Sequence, residues 1–212
     1  MTASNEKYTC VPPCRDPNWQ VRFVLKPNEA KGKPLFAIGL NPSDADEKKL
    51  DPTVENVKRF AEKYKDGRHL VMFNLCPYRT PNPKELRKLF DESTLDIDAL
   101  LHDNIKAIKQ ELDAFAAIET PTVLACWGGY DGATGCRQYF RKSLLLLFKE
   151  IKEIPAIKWV RIKTKRETLH PLHPANRTKR LRSGDDELVE WKPNDVKDYF
   201  AEVERIYKKN RR

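Results

Sequence analysis

Four side chains that could bind or activate a ligand come after β-forming stretches of this sequence: Asn41, Asn74, His170 and His173. The two asparagines follow such stretches directly, and the two histidines follow one after a short basic tract. A carboxamide offers one acceptor and two donors, and an imidazole donates or accepts a proton near neutral pH. An amide is too weak to act as a strong general base, so we expect it to position a water molecule or to read the edge of a ligand. These residue types predict a polar pocket that recognises a ligand and stabilises charge developing on it.

Three carboxylates, Asp44, Asp46 and Asp51, come soon after Asn41 in the chain. Their spacing could hold Mg²⁺ or supply a true general base, but a hard cation needs further oxygen ligands that the sequence does not identify. Solvated loop side chains are the alternative interpretation. We select Asp44 as the candidate catalytic carboxylate, and we predict no metal and no other cofactor.

The segment 158–182 holds most of the net positive charge. The 212 residues include 40 Lys and Arg against 31 Asp and Glu, a net charge of +9, and this segment has nine basic residues and one acid, Glu167. Such a concentration suits a polyanion, because each neutralised phosphate releases counterions. A solvated charged strand and loop is the alternative. The candidate nucleic-acid-binding residues are Lys163, Lys165, Arg166, Arg177, Lys179, Arg180 and Arg182.

The elements that must position these residues alternate between strands and helices. Predicted strands, the first two joined as a hairpin, lie at residues 19–26, 34–40, 69–75, 122–127 and 157–162. Predicted helices lie at residues 53–65, 84–89, 96–117, 137–149 and 193–209. This alternation predicts an α/β fold with three layers, α/β/α, around a largely parallel central sheet. Open sheets of this kind bind ligands at the carboxyl ends of their strands, where the polar side chains are expected to meet.

The chain is predicted to form one domain. Residues 1–15 are expected to be a flexible segment, and residues 16–212 a single α/β domain that includes the helix at 193–209. The sequence has neither a secretory signal nor an apolar stretch long enough for a membrane span, so a cytoplasmic protein is expected, a monomer by default. An odd number of cysteines without an export signal predicts reduced thiols at Cys10, Cys14, Cys76, Cys126 and Cys136.

Several motifs resemble those of the uracil-DNA glycosylase superfamily. The sequence Gly-Leu-Asn-Pro-Ser at 39–43 looks like the first motif of that superfamily, particularly of its mismatch-specific branch. Asn74 resembles the strand-end asparagine that reads the base, and the His-Pro pairs at 170–174 resemble the second catalytic motif. An uncharacterised bacterial and phage domain family is closer still, over roughly residues 20–176. Its matching motifs are GLNPSDAD at 39–46, Asp51-Pro52-Thr53, Asn74-Leu75, Trp127-Gly128 and HPLHP at 170–174.

The superfamily resemblance implies a DNA glycosylase fold and an N-glycosidic hydrolase that acts on a base flipped out of DNA. It implies that Asn41 positions the attacking water and that His173 donates to the departing base. His170 and Asp44 complete the set of candidate catalytic residues. Ser43 stands where the superfamily usually has glycine, so the resemblance favours a modified or mismatched base over uracil.

The resemblance also implies a set of base-binding residues. Asn74 and Ser43 would read the base, and Phe60 or Tyr78 could stack on it, although aromatic side chains more often pack in a core. One alternative function is a non-catalytic nucleic-acid- or nucleotide-binding module on the same fold. Another is a hydrolase of a free nucleoside or nucleotide. The expected partner is DNA, single-stranded or base-modified forms included, in a setting of repair, salvage or defence against phages.

Overall fold

A mixed seven-stranded sheet organises this computed structural model, which describes residues 7–13, 20–92, 96–129, 134–163, 171–174 and 187–210. The strands are β1 Tyr8–Val11, β2 Val24–Pro27, β3 Pro34–Gly39, β4 His69–Asn74, β5 Thr122–Ala125, β6 Lys158–Ile162 and β7 Leu188–Glu190. Their order across the sheet is β1-β2-β4-β3-β5-β6-β7. The predicted α/β class is confirmed.

The four central strands, β4, β3, β5 and β6, are mutually parallel, whereas β1, β2 and β7 pair antiparallel at the two sides. The sheet is therefore mixed. In the described sheet β4 lies between β2 and β3, so the expected hairpin of the first two strands does not form. The reason is that both edges of β3 are occupied by parallel neighbours, β4 and β5, which leaves β2 to pair with the far side of β4.

Five α-helices occur in the part of the chain that the structure describes. They are α1 Pro52–Lys63, α2 Leu86–Glu92, α3 Ile97–Ala116, α4 Arg137–Ile151 and α5 Pro193–Lys209. The aspartates that precede α1 and α3 cap them: Asp51 accepts from the Val54 amide and Asp96 from the Asp98 and Ala99 amides. An N-cap aspartate pairs backbone N–H groups that the helix itself leaves unpaired. Capping therefore explains where both helices begin.

Alternate residues of the buried strands face two separate apolar clusters. In β3, Phe36 and Ile38 belong to the cluster that includes α3, α4 and α5, and Leu35 and Ala37 belong to the cluster that includes α1. Successive side chains of a strand point to opposite faces of the sheet, so helices cover β3 on both sides. This two-sided burial accounts for the continuous apolar sequence of the central strands.

Residues 8–11, inside the segment expected to be flexible, form the edge strand β1, which pairs with β2. The rest of that segment lies outside the described residues, apart from 7 and 12–13. Cys10, Cys76, Cys126 and Cys136 are free thiols, and Cys14 lies outside the described residues. Burial raises the pKa of Cys76 and of Cys126 to about 12, so both stay protonated at neutral pH. Within the described chain, no helix is long and apolar enough to cross a membrane.

Candidate active site

A cavity of about 210 Å³ lies beside the carboxyl ends of β3 and β4. Four of the candidate site residues line it together: Asn41, Ser43, Asn74 and His173. Asp51, one of the three carboxylates that follow Asn41, lines it as well, and so does Arg22, to which sequence reasoning assigned no role. The volume is below the roughly 300–1,000 Å³ of sites for drug-sized ligands, so this cavity suits a small polar group.

Two hydrogen bonds donated by its nitrogen hold the side-chain amide of Asn41 in one orientation. Nδ2 donates to the carbonyl of Thr80 at 2.8 Å and to the carbonyl of Pro42 at 3.0 Å. Since an amide nitrogen has two N–H donors, both are used, and only the acceptor Oδ1 remains. Oδ1 accepts no hydrogen bond from the described residues. Asn41 therefore offers the cavity a fixed acceptor, which suits a water molecule or a ligand N–H.

Asn74 offers the complementary group, a buried donor. Its side chain is 1% exposed, and Nδ2 lacks a hydrogen-bond partner within the described residues. Gly39 lies opposite Asn74 in the strand register, and a Cβ there would lie 2.9 Å from Asn74 Oδ1. Gly39 thus provides the space that Asn74 occupies. A buried unsatisfied donor costs about 1–3 kcal/mol. A ligand acceptor that accepts a hydrogen bond from Nδ2 would remove this cost and so bind more tightly.

Two buried side chains hold the strand end from which Asn74 projects. Asn104 of α3 donates to the carbonyl of Asn74 at 2.8 Å, and Ser143 of α4 donates to the carbonyl of Leu75 at 2.6 Å. Both of these polar side chains are buried. They satisfy carbonyls at the point where the β4 ladder ends, so they hold Asn74 at the cavity wall.

Gly128 and α1 together seat His173. Gly128 has φ +73°, in the left-handed region, and a Cβ on it would lie 2.9 Å from His173 Cβ. On the other side, Asn56 of α1 donates to the carbonyl of Pro174 at 3.3 Å. The Trp-Gly sequence after β5 therefore brings its backbone close to the histidine, for which only glycine leaves room.

Gly128→Ala tests this close approach, with Gly67→Ala as its matched control. Both glycines have positive φ, but a Cβ at Gly67 would meet only the Glu62 carbonyl, at 3.7 Å. Both variants bear the cost of a left-handed alanine, about 1–2 kcal/mol. We expect Gly128→Ala to lower the free energy of unfolding further, by about 1–3 kcal/mol, because its methyl group collides with His173. Chemical denaturation measures the difference. Equal losses of unfolding free energy in the two variants would contradict a close approach of Gly128 to His173.

Burial lowers the pKa of His173 below its ordinary value of 6.5, and the nearby Asp51 carboxylate opposes the shift. The imidazole is therefore neutral at pH 7, with one N–H donor and one acceptor nitrogen. An imidazole in this state can hydrogen-bond to a developing anion without already carrying a charge.

The pKa shift of His173 predicts a pH dependence of stability. Below pH 6.5 the unfolded chain binds a proton at His173 more readily than the folded chain does. The free energy of unfolding should therefore fall as the pH drops from 6.5 towards the lower folded pKa. NMR titration of the ring should give a midpoint below 6.5, and His173→Gln should make stability less dependent on pH in this window. A midpoint at or above 6.5 would refute the shift.

Three other predicted residues do not line the cavity. Asp44 is exposed. Phe60 is buried on the apolar side of α1, in the cluster that covers one face of the sheet. Tyr78 is 1% exposed and packs edge to face on Phe90, with ring centroids 5.4 Å apart. Both rings pack in the apolar core, the more common role of aromatic side chains, and neither lines this cavity.

Of the predicted nucleic-acid-binding residues, the structure describes Lys163. Its side chain is 61% exposed and pairs with Glu187 Oε2 at 2.9 Å. Exposed ion pairs of this kind are weak, so the ammonium remains available to a phosphate. The predicted residues that lie outside the described residues are His170, Lys165, Arg166, Arg177, Lys179, Arg180 and Arg182.

A larger groove, of about 680 Å³, lies between α1 and the start of β4. Its walls mix apolar residues such as Leu25 and Leu70 with charged ones such as Lys58 and Glu62. It holds none of the residues singled out from the sequence, and it lies away from the carboxyl ends of the parallel strands. Across the described ranges, no group of three or more His, Cys, Asp or Glu side chains is placed to hold a metal ion.

Comparison with known proteins agrees with the resemblance to an uncharacterised domain family. None of the curated proteins or solved structures is significantly similar to this chain. A family model described as "Protein of unknown function (DUF1643)" matches residues 22–174, well over half of the chain. The matched span includes β2 to β6 and the cavity residues Asn41, Asp51, Asn74 and His173. The chain therefore belongs to this family of unknown function, DUF1643.

Proposed function

We propose that this protein is a DNA glycosylase of the uracil-DNA glycosylase type, which hydrolyses the N-glycosidic bond of a modified or mismatched base flipped out of DNA. The observation that carries the proposal is the convergence of Asn41, Asn74 and His173 on one small cavity. The three come from three distant parts of the chain, and each presents a different group: an acceptor, a donor and a neutral imidazole. These are the groups that cleavage of a base from its sugar requires.

Two of these groups serve the reaction itself. Breaking the bond gives the sugar oxocarbenium character and leaves negative charge on the base. Asn41 Oδ1 accepts a hydrogen bond from a water molecule and holds it for attack on the sugar carbon. The N–H of His173 donates to the base as negative charge accumulates there. A prearranged donor of this kind stabilises a transition state by roughly 2.7–4 kcal/mol.

The remaining groups read the base. Asn74 Nδ2 donates to an acceptor on its edge, for example a ring carbonyl, and Ser43 and Arg22 are further polar groups on the wall. Enzymes that act on a base extrude it from the helix into such a pocket. Because Asn41 is an amide, a base that leaves easily is the best substrate, which favours an electron-poor, modified or mismatched base.

The fold is compatible with this assignment. The superfamily resemblance implies three layers, α/β/α, around a parallel sheet. Four central strands are parallel and helices pack on both faces of β3, which supports that arrangement. The basic segment 158–182 would then bind the phosphates that flank the flipped nucleotide.

The test is a panel of single- and double-stranded DNAs that contain uracil, mismatched thymine or a hypermodified phage base. After incubation with the purified protein, hot alkali breaks the strand wherever a base has been removed. We expect breaks at one class of base. Salt-sensitive binding without breaks would replace the proposal with a non-catalytic reader, and release of a base from free nucleosides alone would replace it with a nucleoside hydrolase.

A further inference from the structure

Asp51 places a carboxylate on the wall of the candidate active site. The residue is 8% exposed and lines the cavity together with Asn41 and His173. Its Oδ1 accepts the Val54 amide at 2.9 Å and so caps α1. Its second oxygen, Oδ2, accepts no hydrogen bond and forms no ion pair with the described residues. One carboxylate oxygen is therefore left to act on whatever the cavity holds.

Capping α1 does not by itself explain this burial. Asp96 caps α3 in the same way, with its side chain accepting from two backbone amides, yet it is exposed and lies outside the cavity. A buried carboxylate that forms no ion pair is costly, since burial removes its hydration. Of the two N-cap aspartates, only Asp51 bears this cost of burial. It lies on the same cavity wall as Asn41 and His173.

His173 and Arg22 line the cavity together with Asp51. The Asp51 carboxylate opposes the lowering of the His173 pKa, so the two groups interact. Arg22 lines the same cavity, and its Nη1 donates to the Ala45 carbonyl at 2.9 Å. Asp51 therefore shares the cavity wall with an imidazole and a guanidinium.

We propose that Asp51 is the general base of this site, taking a proton from the water molecule that Asn41 holds. This inference rests on the proposed glycosylase function. The water oxygen forms a bond to the anomeric carbon, and the bond from that carbon to the base nitrogen breaks. The bonding pair leaves with the base, whose negative charge His173 stabilises, and one water proton passes to Asp51 Oδ2. The products are an abasic sugar and the free base, which takes a proton from solvent, and Asp51 releases its proton to solvent.

The test compares Asp51→Asn with the matched variant Asp96→Asn on whichever base the DNA panel identifies. Asparagine caps helices as well as aspartate does, so both variants should fold with nearly unchanged melting temperatures. We expect Asp51→Asn to lower kcat by about 10- to 100-fold with KM unchanged. This lies at or below the lower end of the ~10²–10⁴ that a general base contributes, because cleavage of the base runs ahead of water attack. Asp96→Asn should keep the kcat of the wild type.

The pH dependence of kcat separates a general base from a purely structural aspartate. In the wild type kcat should change with pH through the base that takes the water proton, and in Asp51→Asn this change should disappear. NMR titration of His173 in both proteins isolates the contribution of the other titratable group. An Asp51→Asn variant with wild-type kcat, or one that loses activity only in proportion to lost folding, overturns the proposal. If the wild type forms no abasic sites on any DNA, the proposed function itself fails and the role of Asp51 fails with it.

Discussion

Replacing Asn41 by alanine is expected to lower the rate of abasic-site formation by about 10²–10³-fold while leaving DNA binding almost unchanged. The amide is fixed by two hydrogen bonds, to Thr80 and Pro42, so its Oδ1 holds a water molecule without reorganisation. Alanine removes the acceptor, and the water is no longer held at bonding distance from the sugar. Single-turnover cleavage assays measure the chemical step apart from product release.

The matched control for Asn41→Ala is Asn82→Ala. Asn82 is also a loop asparagine that makes side-chain hydrogen bonds, to Glu85 Oε1 at 3.0 Å, but it is exposed and does not line the cavity. Its replacement should leave the rate unchanged. A wild-type rate in Asn41→Ala would refute the role of the amide, and equal losses in the two variants would mean that loop structure, not water binding, limits activity.

Replacing His173 by alanine is expected to lower kcat by about 10²–10³-fold, the usual cost of removing one prearranged donor to a developing anion. The loss should grow as the base becomes a poorer leaving group, because more charge then rests on it in the transition state. A series of bases with graded acidity, assayed in both proteins, measures this trend. The trend distinguishes stabilisation of the leaving base from a general disturbance of the site.

His102→Ala is the control for His173→Ala, since His102 is an exposed histidine on α3 that does not line the cavity. It should keep wild-type activity on every base. If His173→Ala lost the same factor on all bases, the histidine would be shaping the pocket instead of stabilising the leaving group. If His173→Ala kept the wild-type kcat, the catalytic role assigned to the His-Pro motif at 170–174 would be wrong.

Much of the candidate site could be predicted from the sequence because it depends on strand ends. Asn41 and Asn74 each follow or end a continuous apolar run, and such runs become buried parallel strands. The carboxyl ends of adjacent parallel strands lie at the same edge of a sheet, so residues 33 positions apart in sequence are brought to one cavity. The α/β class follows from the same alternation of patterns, and α5 has the bounds that its amphipathic pattern predicts.

Other features depended on the tertiary structure. The sequence indicates three carboxylates after Asn41, of which Asp44 is the candidate catalytic residue. In the structure Asp51, and not Asp44, lines the cavity. Local patterns do not determine which side of a loop faces a cavity, because the path of the loop is set by what it packs against. Here the capping bond of Asp51 orients it at the start of α1, a helix whose apolar side is committed to the sheet.

Sequence by itself thus determined the alternation of strands and helices and the polar residues at the strand ends, because periodicity and strand polarity are local properties. Only the tertiary structure decided that the sheet is mixed, that Phe60 and Tyr78 belong to the core, and that Gly128 seats His173. These depend on which strands become neighbours and on how closely two distant backbones approach. Such contacts are long-range, and no pattern within a single segment encodes them.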